Sequence, residues 1–144
     1  MTRTFSKGFS LASIRLGYIC CCEELIRVIN KIRNTKEVNS FAQILGEVAL
    51  DNIEETNKRI CKVKKNRKRL ELLLKQNNIT YIKSESNFIL VKVSDSEKIV
   101  QELANQKILV RDRSVFAGFE NTIRVTIGDW HLMETVIKTI LKYP

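Results

Sequence analysis

"TFSKGFSLASIRLGY", residues 4–18, gathers a lysine, two nearby hydroxyls, a glycine and an arginine into one short segment. Thr4 and Ser6 precede Lys7, Gly8 follows it, and Arg15 lies eight positions beyond the lysine. A lysine that forms a Schiff base must be held where its amine can lose a proton. A phosphorylated cofactor needs hydroxyls, backbone donors and a guanidinium to match its dianion. This one segment supplies all of them.

Working outward, "SIRLGYICC" is apolar and β-prone around Gly17, and is expected to be a core strand. "CEELIRVINKIRN" carries Leu25, Ile26, Ile29 and Ile32 at helical spacing, which predicts an amphipathic helix of about three turns. Residues 34–40 are polar and form a connection, with Ser40 as the N-cap of the next helix. From Phe41 to Gln76 there is no proline, and Ile44, Val48, Ile53, Ile60, Val63, Leu70 and Leu74 recur at steps of three, four, five and seven residues, giving one or two long helices.

Beyond Asn78 the texture changes to β-prone segments, "ITYIK", "NFILVKV", "KILVRD" and "TIRVTIG". A helix over Asp95–Gln106 separates them, and "HLMETVIKTILKYP" closes the chain, so this part reads as a small α/β domain. Within "TIRVTIG", Ile123, Val125 and Ile127 alternate with Arg124 and Thr126. The alternation turns Arg124 away from the apolar face.

The 144 residues suffice for one domain with a core, and no segment approaches the roughly 20 apolar residues of a membrane span. The start lacks the basic and apolar pattern of a secretory signal, so a cytoplasmic location without membrane attachment is expected. Cys20, Cys21 and Cys22 adjoin and Cys61 stands apart, which matches neither a disulfide framework nor a zinc site, and no metal is expected. The net charge of +9 would suit an anionic partner. Eight of the twelve residues from Lys58 to Arg69 are Lys or Arg, but on a helix such a run reads as a solvated face. No aromatic residue interleaves with it to stack bases, so nucleic acid is not an expected partner.

The segment around Lys7 resembles the cofactor-lysine signature of the fold-type I, class I and II aminotransferases: a hydroxyl residue, any residue, Ser, Lys, then Arg eight positions on. "SNFILVKV" (86–93), "KILVRDRS" (107–114) and "NTIRVTIG" (121–128) resemble, in order and spacing, the small domain of the histidinol-phosphate aminotransferases, and "EVNSFAQ" (37–43) resembles their hinge. The resemblance implies an α/β fold, the C-terminal part of a pyridoxal-phosphate-dependent transferase. Residues 1–33 would be a remnant of the large cofactor domain, 34–76 hinge and long linking helix, and 77–144 the small domain.

It further implies that Lys7 holds pyridoxal phosphate and shuttles protons, that Thr4, Ser6 and Arg15 bind its phosphate, and that Arg124 binds the substrate carboxylate. Arg111 would contribute to a substrate phosphate pocket and Asn87 to the pocket or a turn, while Arg113 and His131 read as surface residues. Amino-acid and keto-acid substrates, histidinol phosphate with 2-oxoglutarate foremost, and a homodimer follow from the family. The family's enzymes are more than twice as long, and the Asp that pairs with the pyridine nitrogen is among what precedes the lysine there, so this chain is expected to be an incomplete enzyme. Gly8 stands where alanine is usual, Lys36 and Glu37 where the hinge often has Pro and Tyr, and "GDWHLME" where Gly-Thr-Pro-Glu-Glu is common. A non-catalytic fragment acting as an interaction module, and another class I or II aminotransferase, are the alternatives.

Overall fold

In the computed structural model, which describes residues 1–34 and 36–143, the chain is α/β and divides into two compact units, Met1–Ile60 and Cys61–Pro144. The division falls inside a long helix, whereas the segments read from sequence changed at residues 33 and 76.

The first unit opens with a two-stranded antiparallel ribbon, β1 (Thr2–Thr4) and β2 (Gly17–Ile19), paired Thr2 to Ile19 and Thr4 to Gly17. Gly17 is required: a Cβ there would stand 2.8 Å from the Arg3 carbonyl oxygen. The expected strand is present but is not a core strand, because Tyr18 and Ile19 are exposed. A single short ribbon covers only one side of itself.

Helix α1 (Glu23–Ile32) follows the predicted period, with Glu23 and Glu24 in its first turn where the helix dipole favours acids. Helix α2 spans Ser40–Asp51. Its N-cap is Asn39, not Ser40: the Asn39 side chain accepts the Ala42 N–H at 2.9 Å, leaving Ser40 as the first helical residue. Of the two arrangements the sequence allowed, the structure takes two helices. Asn52 interrupts them and turns its amide back to the Val48 carbonyl at 2.8 Å, and α3 (Ile53–Gln76) begins at the next residue.

The second unit has an antiparallel sheet ordered β3-β4-β6-β5: β3 (Tyr81–Ile82), β4 (Phe88–Lys92), β5 (Arg111–Asp112) and β6 (Thr122–Thr126). Helices α4 (Ser96–Asn105) and α5 (Trp130–Leu141) complete it. Ile89 and Val91 from β4 and Ile123 and Val125 from β6 join Leu70, Leu74, Ile99, Leu103, Val136 and Ile140 in one buried cluster. Each such side chain contributes about 1.5–3 kcal/mol by leaving water.

β5 is shorter than "KILVRD" suggests. Lys107 adopts a left-handed φ of 60° and Ile108 donates its N–H to the Leu103 carbonyl at 2.9 Å, so these residues close the end of α4 instead of pairing in the sheet.

Candidate active site

Around Lys7 the loop is fixed by its neighbours. Phe5 is buried, stacks on Phe9 with ring centroids 4.5 Å apart, donates its N–H to the Leu16 carbonyl at 3.0 Å and accepts the Leu11 N–H at 3.1 Å. Between these anchors the chain turns, with the Ser10 N–H reaching the Lys7 carbonyl at 3.1 Å. The Lys7 side chain stands exposed.

Thr4 and Ser6 face one another. The Thr4 hydroxyl oxygen accepts the Ser6 N–H at 3.1 Å and lies 3.0 Å from the Ser6 hydroxyl oxygen, to which it donates. That arrangement leaves the Ser6 hydroxyl proton free for an acceptor from outside. Arg15 ends a 3-10 turn (Ala12–Ile14) in the left-handed region, φ 56°, a conformation unfavourable for a residue with a Cβ. Among the described residues its guanidinium donates one hydrogen bond, to the Ala12 carbonyl at 3.0 Å, and joins no ion pair. Two hydroxyls, a guanidinium with donors to spare and an exposed amine on one loop fit a phosphorylated aldehyde. The departure at Gly8 is sterically mild, since a Cβ there would meet only Ile60 Cδ1 at 3.5 Å.

In the second unit Arg124 lies on the sheet face opposite Ile123 and Val125, directly between Leu90 on β4 and Arg111 on β5. Its guanidinium sits over the Phe88 ring, 4.6 Å from the centroid. A cavity of about 290 Å³ opens there, lined by Phe88, Leu90, Arg113, Phe116, Phe119 and Arg124. Arg113, read from sequence as a surface charge, is half-buried in this lining with its guanidinium 5.5 Å from the Phe116 centroid. Arg111 is exposed and outside the lining. Asn87 lies outside it too: its carbonyl accepts the Ile127 N–H at 2.8 Å, extending the β4–β6 ladder, and its side chain meets Ser86.

Alternation along β4 puts Phe88 on the same face as Leu90, and two-residue spacing puts Arg113 with Arg111. That was the available signal for the three missed lining residues on or beside the strands, Phe88, Leu90 and Arg113. Phe116 and Phe119 come from a loop closed by Phe116 and Phe119 N–H bonds to Arg113 and Phe116, which no period marks.

The nearest acid in sequence, Asp112, is occupied elsewhere. The Ser114 N–H donates to one carboxylate oxygen at 2.8 Å and the Ser96 hydroxyl to the other at 3.1 Å. The backbone bond from Ser114 does most to hold its carboxyl below the usual carboxylate range. His131 is exposed, as the sequence suggested.

Three members of the basic run on α3 have partners inside the second unit. Lys62 pairs with Asp129, Arg69 lies over the Trp130 ring, and buried Arg67 holds Glu85 and the Ser86 carbonyl. Among the described residues no helix is long and apolar enough to cross a membrane.

Residues 1–140 match the family described as aminotransferase class I and II. Histidinol-phosphate aminotransferase 1 of Carboxydothermus hydrogenoformans is 40% identical over 127 residues, covering 88% of this chain and 36% of that protein. Among solved structures, the histidinol-phosphate aminotransferase of Sinorhizobium meliloti in complex with pyridoxal-5'-phosphate is similar in fold, with TM-score 0.74, 22% identity, and coverage of 98% of this chain and 41% of that one. L-threonine-O-3-phosphate decarboxylase of Porphyromonas gingivalis has the same fold at TM-score 0.80 and 20% identity, covering 99% of this chain and 45% of that one. The chain spans 36–41% of the length of curated relatives that it matches.

Proposed function

The chain belongs to the class I and II aminotransferases, and from that membership we propose that it forms part of a pyridoxal-phosphate-dependent enzyme transferring an amino group between histidinol phosphate and 2-oxoglutarate. The observation that carries the substrate assignment is the 40% identity, over 88% of this chain, to a histidinol-phosphate aminotransferase.

In this reading Ser6, Thr4 and Arg15 hold the cofactor phosphate, and Lys7 is the residue that binds the cofactor covalently. When bound, pyridoxal phosphate supplies an electron-poor ring that draws electrons away from the substrate Cα. Lys7 Nζ is the base that takes the Cα proton and returns it. Arg124 grips a substrate carboxylate through its planar fork. Arg111 adds positive charge beside it in the sheet, and Asn87 fixes the start of β4. Residues 1–33 belong, on this proposal, to the large cofactor domain, 34–76 to hinge and linking helix, and 77–144 to the small domain. A cytoplasmic location and a homodimer complete the reading.

Exposed apolar side chains on α1 and α2, among them Leu25, Ile32, Phe41 and Ile44, favour a second reading in which the chain is an interaction module without activity of its own. The fold similarity to a decarboxylase leaves room for a different reaction at the same lysine.

The test is to add pyridoxal phosphate to the purified chain, remove the excess, record the visible spectrum, and map any borohydride-fixed adduct by peptide mass. A visible band of about one cofactor per chain, mapped to Lys7 and absent from Lys7→Ala, supports the enzyme reading. A spectrum identical to that of Lys7→Ala sinks cofactor binding by this chain alone.

A further inference from the structure

We propose that Cys20 and Cys22 form a two-thiolate site for a soft monovalent cation of the Cu⁺ class. The site lies wholly in the first unit and is independent of the cofactor reading above.

Chain direction pairs two of the three adjoining cysteines. Strand β2 ends at Ile19, but the Cys20 N–H still donates to the Met1 carbonyl at 2.8 Å, and Cys22 keeps an extended φ of −65° and ψ of 156°. Alternate side chains of an extended chain leave on the same side, so Cys20 and Cys22 go together and Cys21 goes opposite. Exposure follows that alternation: Cys20 and Cys22 are exposed and Cys21 is half-buried. The run of three, unpromising for a metal as a block, resolves into a pair and an odd member.

The two thiols are uncommitted while their backbone is held. Both are free, and Cys22, although the N-cap of α1, makes no capping hydrogen bond through its side chain. Its carbonyl accepts the Ile26 N–H at 3.1 Å, and the Cys20 N–H is tied to Met1. With the chain fixed on either side of Cys21, little ordering remains to be lost when the two sulfurs take hold of one ion.

Geometry and ligand count select the ion. Two residues of extended chain span roughly 6.6 Å, whereas a disulfide needs Cβ atoms about 3.5–4.5 Å apart, so the pair cannot bond to each other without backbone movement. A bridging ion relaxes that demand: metal–sulfur bonds of about 2.3 Å let the sulfurs stand up to about 4.6 Å apart. Among the described residues no three His, Cys, Asp or Glu side chains gather into a metal-holding group, which leaves no four-ligand zinc cage there. Two thiolates without a third ligand suit a soft ion, and Cu⁺ is the one that thiolates select. Two thiols and Cu⁺ give a bis-thiolate complex of charge −1 and release two protons.

The test titrates Cu⁺ into the reduced full chain without oxygen, in competition with the chromophoric chelator bathocuproine disulfonate, whose absorbance reports the copper it keeps. About one Cu⁺ per chain should leave the chelator, at a stoichiometry that does not change with protein concentration. Cys20→Ser and Cys22→Ser should each weaken binding at least about a hundredfold, since losing a ligand costs more than the roughly 10–100-fold of losing an outer partner. Cys21→Ser and Cys61→Ser should change it no more than about threefold. Zn²⁺, followed with a zinc-sensitive dye, should bind at least about a hundredfold more weakly than Cu⁺. Unchanged far-UV circular dichroism establishes that the serine variants are folded.

Failure of the chain to draw copper from the chelator overturns the inference. A loss in Cys21→Ser or Cys61→Ser equal to that in Cys20→Ser overturns it likewise, because binding would then not belong to the pair. One Cu⁺ for every two chains moves the site to a contact between copies and overturns it too, and Zn²⁺ bound as tightly as Cu⁺ overturns the choice of ion.

Discussion

Buried Arg67 on α3 donates through one guanidinium nitrogen to the Ser86 carbonyl at 2.9 Å and through the other to Glu85 at 2.7 Å, two and three residues before β4 begins. The helix thus fixes the entry into the strand that carries Phe88 and Leu90. Arg67→Ala is expected to cost about 2–4 kcal/mol, because it strips a carbonyl of its donor and leaves a hole in packed surroundings. Glu85→Ala should cost less than about 1 kcal/mol, since the Glu85 side chain is 82% exposed. Urea unfolding of the two variants checks the contrast, and equal losses would contradict it.

Asp112 should make the second unit acid-sensitive. Its carboxyl is held below the usual range chiefly by the Ser114 backbone N–H, so the native state binds its proton less readily than the unfolded chain. The stabilisation is therefore fully present above the unfolded value of about 4 and is lost as pH falls through the lower folded value. Asp112→Asn should lower stability at neutral pH by about 1 kcal/mol and flatten the dependence below about pH 4, read from urea midpoints across that range.

Two glycines near Lys7 should respond oppositely to alanine. At Gly8 a Cβ makes an ordinary contact with Ile60, so Gly8→Ala should stabilise by about 0.4–1 kcal/mol through the unfolded chain. At Gly17 the Cβ would collide with a backbone carbonyl that cannot swing aside, and Gly17→Ala should cost about 1–3 kcal/mol. Thermal unfolding of both variants decides it.

Phe41 and Ile44, 78% and 58% exposed on α2, should drive self-association of the isolated chain. Phe41→Lys with Ile44→Glu is expected to shift sedimentation towards monomer at a given concentration. An unchanged profile would assign any association to another surface.

The parts read directly from sequence were those governed by a local period. Leu25, Ile26, Ile29 and Ile32 announce α1, and the alternation around Arg124 announces both β6 and the face that arginine takes. What stayed hidden depends on contacts distant in sequence or on backbone geometry. Arg111 and Arg113 share a strand parity and a charge, and only the end of pairing after Asp112 separates the one at the cavity from the one in solvent. The left-handed turn at Lys107 borrows residues from "KILVRD" to finish α4, which propensity cannot foresee because Ile and Val suit a strand. "SIRLGYICC" is apolar enough for a core, but burial needs cover, and the ribbon has too little: Tyr18 meets the Phe5 ring at 6.1 Å between centroids, yet Tyr18 and Ile19 both stay exposed.

The stacking of Arg124 on Phe88 and of Arg113 towards Phe116 has an entropic side. A guanidinium resting on a ring has already surrendered much of its rotamer freedom, which is otherwise lost when an arginine first takes hold of an anion. The Phe88 ring thus keeps the guanidinium of Arg124, the proposed carboxylate grip, partly ordered before anything arrives. Under the proposed role of Arg124, removing that ring would loosen the hold on a carboxylate without removing a single hydrogen-bond donor, and calorimetry would register the change as a less favourable entropy of binding.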